Sequence, residues 1–251
     1  MPHSTAPPAR PAPGVVELRR YALHPGRRDT LIELFERELV EPQEALGMQV
    51  LGTFRELDDA DRFAWLRGFD DMASRCRALD AFYGGPVWQR HRDAANATMI
   101  DSDDVLLLRP ARPLSGFAPP SSRAPVGATT PPAGLITATV CPLGEPADEA
   151  LIARLESTAR AHAAIGDAEL VACLVSETAR NDYPRLPVRE GEPMAVWFSR
   201  FADAAAQRRH AERLAASVEW RDRIWPAWRT ALAADPSVLR LAPTARSALH
   251  R

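Results

Sequence analysis

Lysine is missing altogether from the 251-residue chain, whose 31 basic residues are all arginine. That excludes Schiff-base chemistry on a lysine, pyridoxal phosphate anchored in the usual way, and a phosphate-binding loop of the Walker type. Cysteine is nearly as scarce. Cys76, Cys141 and Cys173 stand far apart with no C-x-x-C pair, which points to reduced, buried thiols and not to a disulfide framework or a zinc site. Charge in excess is absent too. A net charge of −2 gives no bulk attraction to nucleic acid or to an anionic membrane. No apolar run approaches the length of a membrane span. The opening MPHSTAPPARPAPG lacks a hydrophobic stretch and reads as a short disordered leader, so a cytoplasmic protein is expected. No G-x-S-x-G, G-x-G-x-x-G or metal-spaced His/Cys/carboxylate cluster occurs, and neither metal nor cofactor is expected.

What is present centres on Arg62–Asn96. Phe63, Trp65, Arg67 and Phe69 alternate with Ala64, Leu66 and Gly68, the period of a strand. A helix capped by Asp70 or Asp71 follows, then a turn at Gly84-Gly85-Pro86 and a second helix with Trp88 and His91 on one face. The stretch has an echo. Trp65 and Trp88 are matched by Trp197 and Trp220 at an offset of 132, and Phe69/Phe201 and Asp71/Asp203 share it. Earlier pairs such as Gly14/Gly134 and Leu31/Leu151 match at 120. A duplicated domain is implied, with about twelve extra residues near Asn181–Glu192 in the second copy.

The first half reads as strand Val15–Leu23, helix Arg28–Glu41 bounded by Pro42, strand Met48–Glu56, the Arg62 strand, two helical segments and strand Val105–Arg109. This β-α-β-β-α-β order is ferredoxin-like. Pro110–Ala133, with seven prolines, reads as a linker. The second half repeats the order, with strands Leu135–Cys141, Glu169–Glu177, Met194–Phe201 and Val238–Leu241. The expected organisation is a leader at 1–13, domains at 14–110 and 134–243, a linker at 111–133 and a tail at 244–251. A four-stranded sheet with helices on one face leaves the other bare, so two such faces should pack together and close a pseudo-dimeric α+β barrel. Homodimerisation is compatible with this arrangement.

VVELRRYALHPGRRDTLIELF resembles the opening of NIPSNAP-family domains, with their Glu-Leu-Arg-x-Tyr strand and Pro-Gly turn. RFAWLRGFDDM is similar to that family's tryptophan-bearing third strand. FYGGPVWQRHRDAANATMIDSDDVLLLRP and YPRLPVREGEPMAVWFSRF resemble segments of bacterial members built from two such units. The resemblance implies the dimeric α/β-barrel superfamily. That superfamily holds cofactor-independent monooxygenases, haem-handling enzymes, dehydratases, isomerases and plain binding proteins, so it does not fix a reaction.

The small or aliphatic residues Ala64, Leu66 and Gly68 suit a closely approaching helix, which would leave Phe63, Trp65, Arg67 and Phe69 lining the barrel interior beside Glu17, Arg19 and Tyr21. An aromatic-walled pocket with a few polar groups is the profile of a small-molecule site. In it Arg67 would hold an anionic or carbonyl oxygen. Glu17, Tyr21 or His91 would handle a proton, Glu17 through a pKa raised by desolvation. Arg19, Phe63, Trp65, Phe69, Tyr83 and Trp88 would contact the ligand. At the matching second-half positions stand Thr137, Thr139, Cys141, Ser199 and Arg223, so the ionisable site belongs to the first half. On this reading Arg67→Ala abolishes ligand binding and barely alters folding.

Plainer readings compete. Glu17 and Arg19 can be an exposed ion pair worth at most about 1 kcal/mol; Trp65 and Trp88 can be core; His91 can be a packing histidine. Asp101, Asp103 and Asp104 lack the glycine and final glutamate of a calcium loop. The leading expectation is a small-molecule-binding protein, as a cofactor-independent enzyme acting on an aromatic or carbonyl metabolite. The alternatives are a non-catalytic interaction or scaffold protein with a filled barrel, and a haem-binding barrel using His91. The Asn181–Glu192 insertion reads either as a lid, given Tyr183, or as a packed surface loop.

Overall fold

The computed structural model describes residues 11–119 and 123–250. Strand β1 (Val15–Leu23) is followed by α1 (Arg28–Leu34), a π-helical turn (Phe35–Leu39) and α2 (Val40–Ala45), then β2 (Gln49–Glu56) and β3 (Arg62–Phe69). Helices α3 (Met72–Gly84) and α4 (Pro86–Asn96) lead into β4 (Met99–Pro110). The second run is β5 (Leu135–Pro142), α5 (Glu149–Ala164), β6 (Glu169–Ser176), β7 (Met194–Phe201), α6 (Ala204–Ala216), a second π-helical turn (Trp220–Ile224), α7 (Trp225–Arg229) and β8 (Ser237–Pro243).

Pro42 does not end the first helix as expected; the helix runs through it. Proline lacks the N–H that would bond the Glu38 carbonyl, and its ring crowds that carbonyl. The turn containing Glu38 is the one that widens to π geometry. The same occurs in the second half, where Pro226 lies four residues after Asp222 in the other π turn. Helix α3 starts at Asp71, whose carboxylate accepts from the Ser74 amide at 2.6 Å while Ser74 Oγ accepts from the Asp71 amide at 2.9 Å, a reciprocal cap.

The eight strands close into an antiparallel barrel in the order β1-β3-β2-β8-β5-β7-β6-β4. The ladders inside each half are long: β1–β3 and β5–β7 each align eight residue pairs. The two seams between halves are short. Phe54↔Pro243, Arg55↔Ala242 and Glu56↔Leu241 form one; Leu108↔Ser176, Arg109↔Val175 and Pro110↔Leu174 form the other.

The faces of β3 are the reverse of the expectation. Ala64 and Leu66 point into the barrel with Val16, Leu18, Leu106, Ile136, Val196, Phe198 and Leu241, forming a core free of helix residues. Phe63, Trp65 and Phe69 lie on the outer face, packed under the helices with Phe35, Leu79 and Phe82. Small side chains on β3 serve the crowded barrel axis, where side chains from all sides converge, and the broad aromatics fill the wider sheet–helix layer. Gly68 is small for a related reason: a Cβ there would stand 2.7 Å from Pro13.

The segments expected to be loose are docked. Pro11 accepts a hydrogen bond from Gln49 Nε2 at 3.1 Å, and Pro13 is buried; residues 1–10 of the expected leader lie outside the described residues. In the proline-rich connection, Phe117 enters the barrel core and meets Phe198 at 4.8 Å between ring centres. Arg123 bonds the Val50 carbonyl at 2.7 Å. The C-terminal segment crosses back to the first half, where Arg246 donates its amide to Glu36 at 2.8 Å and Thr244 bonds Thr53.

Candidate ion-cluster site of the first half

β1 and β3 pair so that Glu17 stands opposite Arg67 and Arg19 opposite Trp65, all facing the helices. Helix α3 adds Arg75, which falls on the stripe of Met72, Leu79 and Phe82 that meets the sheet. The result is a charge cluster sealed in an apolar layer. Glu17, Arg19, Arg67 and Arg75 are at most 1% exposed.

Glu17 is the hub. Its Oε2 accepts from Arg67 Nη2 at 2.6 Å and Nε at 3.0 Å, and from Arg19 Nη1 at 3.1 Å. Its Oε1 accepts from Arg75 Nε at 2.8 Å. Arg67 Nη1 continues to Gln43 Oε1 at 3.1 Å, and Arg19 Nε to the Tyr21 hydroxyl at 3.0 Å. Arg67 lies over the Trp65 ring at 4.9 Å and the Phe69 ring at 5.4 Å, contacts that stabilise a desolvated cation. Arg75 Nη1 reaches out of the layer to Asp182 Oδ1 at 2.7 Å and Asn181 Oδ1 at 3.1 Å.

Burial alone would raise the Glu17 pKa. The charges of Arg67, Arg19 and Arg75 together outweigh it and hold the carboxyl far below the usual carboxylate range. The expected raised pKa is thus reversed, and Glu17 is an electrostatic anchor with little basicity to offer. Burial pushes the Tyr21 phenol up, against the pull of Arg19. The exposed-pair reading of Glu17 and Arg19 is also overturned.

The charges do not balance. Arg19, Arg67 and Arg75 against Glu17 and Asp182 make three cations and two anions, leaving one positive charge in excess. Arg75 Nη2 sits 2.8 Å from Glu17 Oε1 as an ion pair but off the hydrogen-bond direction, so that buried donor has no acceptor among the described residues. Tyr83 lies close enough to Arg19 and Arg67 to bear on both guanidiniums.

Of the predicted site residues, Glu17, Arg19, Tyr21, Phe63, Trp65, Arg67 and Phe69 come together in one layer, although outside the barrel, and Tyr83 borders it. Trp88 is half-buried against Phe82 and Tyr83. His91 is not in the cluster: its Nε2 lies 3.6 Å from Glu38 on the neighbouring π turn. The barrel interior is filled by side chains, so a haem macrocycle has no room there. Arg75, Gln43 and Asp182 were missed. The first two could have been found as polar residues interrupting an apolar helical stripe; Asp182 carries no such signal.

Beside the cluster runs a groove of about 310 Å³ along the β4/β6 seam, the low end of small-ligand pocket sizes. Leu107, Val175, Glu177 and Arg109 line it, with residues 188–193 as one wall. Leu107 is the cross-strand neighbour of Glu17. Leu107 and Val188 also belong to the aromatic layer, so they partition groove from cluster.

The second half holds different chemistry at the matching place. Thr137, Thr139 and Ser199 are buried there, and His162 Nε2 meets His210 Nε2 at 3.2 Å. Among the described residues no group of three or more His, Cys, Asp or Glu could hold a metal ion, and no helix is long and apolar enough to cross a membrane.

Residues 16–113 match the NIPSNAP family model, and none of the curated proteins matches the chain in sequence. Among solved structures, a candidate monooxygenase from Fusobacterium nucleatum is similar at 9% identity with a TM-score of 0.58, covering 96% of both chains. One from Lactobacillus acidophilus is 10% identical with a TM-score of 0.55, over 94% of this chain and 97% of that one. An anthrone oxidase-like protein is 13% identical with a TM-score of 0.54, over 92% and 91%. At such identities the likeness is one of fold, and it spans nearly the whole chain.

Proposed function

We propose that this chain, whose residues 16–113 are a NIPSNAP domain, binds a small organic molecule against the ion cluster of its first half, as an enzyme that needs no cofactor. The carrying observation is the buried guanidinium excess, in which Arg75 Nη2 is ion-paired with Glu17 but makes no hydrogen bond. Burying several charges costs more than an apolar layer of the same volume, so a fold alone gives no reason for three arginines here. Donors held rigidly in a dry layer are suited to oxygen on which negative charge develops, as when a carbonyl becomes an enolate or a phenol a phenolate. In this reading Arg75 and Arg67 supply the field, and the Tyr21 and Tyr83 hydroxyls are the proton-handling groups. The fold neighbours described as candidate monooxygenases and as anthrone oxidase-like add oxidation of an aromatic substrate to the reactions worth assaying.

The architecture belongs to the same proposal: two ferredoxin-like units in tandem, paired through their open sheet faces, with 14–110 carrying the site and 134–243 acting as its partner. The leader, linker and tail boundaries at 13, 111–133 and 244 complete that scheme, in a cytoplasmic bacterial protein with no nucleic-acid or membrane partner. A thermal-shift screen against aromatic acids, quinones, short-chain aldehydes and haem tests the binding reading, with Tyr83→Phe alongside. A shift in the native protein that shrinks in Tyr83→Phe supports it; a panel without shifts overturns it. Arg67→Ala does not serve here, because Arg67 is tied to Glu17 and its removal strands a buried charge.

A second reading has one observation in its favour. The barrel is filled, as a non-catalytic interaction protein would have it, and the same blank panel would leave that reading standing.

A further inference from the structure

The Asn181–Glu192 segment reaches across from the second half and settles on the ion cluster. Asp182 bonds Arg75 at 2.7 Å, and the Asp182 carbonyl accepts from Cys76 Sγ at 3.3 Å. The next residue, Tyr183, is buried with its ring stacked on Tyr83 at 6.2 Å and 25°. Two adjacent residues therefore place a carboxylate on a guanidinium and an aromatic ring beside it.

We infer that Asp182 and Tyr183 are a resident stand-in for an aromatic carboxylate, and that an arylacetic or benzoic acid takes their place on Arg75 and Tyr83. This rests on the small-molecule reading above and names its substrate class. The fit of the segment is incomplete in two places. Asp182 engages Arg75 only through Nη1, leaving Nη2 with its ion pair to Glu17 but no hydrogen bond, and the buried Tyr183 hydroxyl has no hydrogen-bond partner among the described residues. A free carboxylate is not tethered to a backbone and can address the guanidinium fork with both oxygens. It would also replace the negative charge that Asp182 takes with it, so the cluster's three cations still face two anions. Asp182 keeps 29% of its side chain exposed, which leaves its bond to Arg75 open to competition from solvent. The groove behind residues 188–193 gives the segment somewhere to go.

The test is calorimetric titration of the full chain with phenylacetate and with its neutral counterpart phenylacetamide. Asp182→Asn keeps the shape of the segment and removes its charge. Phenylacetate should bind this variant at least about tenfold more tightly than the native protein, the worth of one charge-assisted hydrogen bond, while phenylacetamide gains nothing. Asp182→Ala combined with Tyr183→Ala gives the same readout should the first variant fail to fold. In the native protein phenylacetate should also speed iodoacetamide labelling of Cys76, the one half-buried cysteine, which the segment covers.

Equal phenylacetate affinity in native and variant proteins overturns the inference. So does an equal gain for the amide, or binding that leaves Cys76 labelling unchanged. If neutral aromatics bind while none of these changes appears, the small-molecule reading survives and the stand-in falls. If no aromatic binds either protein, both fall.

Discussion

Replacing Glu17 by glutamine changes almost no volume and removes the hub of the cluster. Three guanidiniums then share a layer in which every one of them is buried. Breaking a buried ion pair by removing one partner costs about 3–5 kcal/mol. The higher end applies here, since Glu17 accepts from three arginines. For a chain of this size that corresponds to a fall in Tm of roughly 6–20 °C. Guanidinium chloride unfolding followed by tryptophan fluorescence reads it directly, and the pH dependence adds a second check. Because the folded pKa of Glu17 is depressed, its contribution is fully present above the unfolded value near 4.5 and is lost as pH falls below it. The gap between native and Glu17→Gln protein should be constant from pH 7 to pH 5 and narrow in more acid buffer. Arg37→Ala, which removes an ion pair whose members are 50% and 75% exposed, is the control and should cost under about 1 kcal/mol. If Glu17→Gln costs no more than that control, the cluster is wet and the argument for a desolvated oxygen-binding field fails.

Other outcomes follow from the second half and the connections. Burial, with His210 adding to it, pushes the His162 pKa down to about 3 from an ordinary 6.5. Folding therefore keeps His162 neutral while the unfolded chain binds a proton, and stability should fall by about 1.4 kcal/mol per pH unit below about 6.5; His162→Phe should flatten that slope in denaturant titrations at pH 6.5 and 4.5. Phe117→Ala removes an aromatic ring from the barrel core and should cost about 3–5 kcal/mol, against near zero if the proline-rich connection were a free tether. Burial holds the thiols of Cys141 and Cys173 up at about 12, so native protein titrated with a thiol reagent should react at Cys76 first and at the other two only on unfolding.

Much of the frame was legible in the sequence because strand alternation and turn residues are local signals. The strand at Val15–Leu23, the Trp65 strand and closure of a barrel all follow from them. Which face of β3 points inward was not legible. Alternation says that Ala64/Leu66 and Phe63/Trp65 lie on opposite faces, but not which face meets helices, and both partners are apolar. That ambiguity put the expected residues on the wrong side of the sheet: Glu17, Arg19, Tyr21 and Arg67 assemble under the helices, while His91 stands apart beside Glu38. Their protonation chemistry could not be read from β1 alone, since the Arg75 guanidinium that helps hold Glu17 ionised comes from α3, 58 residues away. Asp182 is further still from any local signal, 107 residues from the arginine it meets.

The two seams give the barrel the mechanics of a locket. Each shell is stitched internally by long ladders, whereas the shells meet along lines only three residue pairs long. Four strands lie between those lines on either side, so they face each other across the barrel. Each is fastened from outside by a strip of the second shell: Thr244 to Arg246 hold the β2/β8 line, and Asp182 to Arg189 hold the β4/β6 line. Undoing one clasp leaves the opposite line as a hinge. Of the two clasps, the one with the groove beneath it is at the β4/β6 line, held by the half-buried Asp182 on Arg75 and by Arg189 on Asp104.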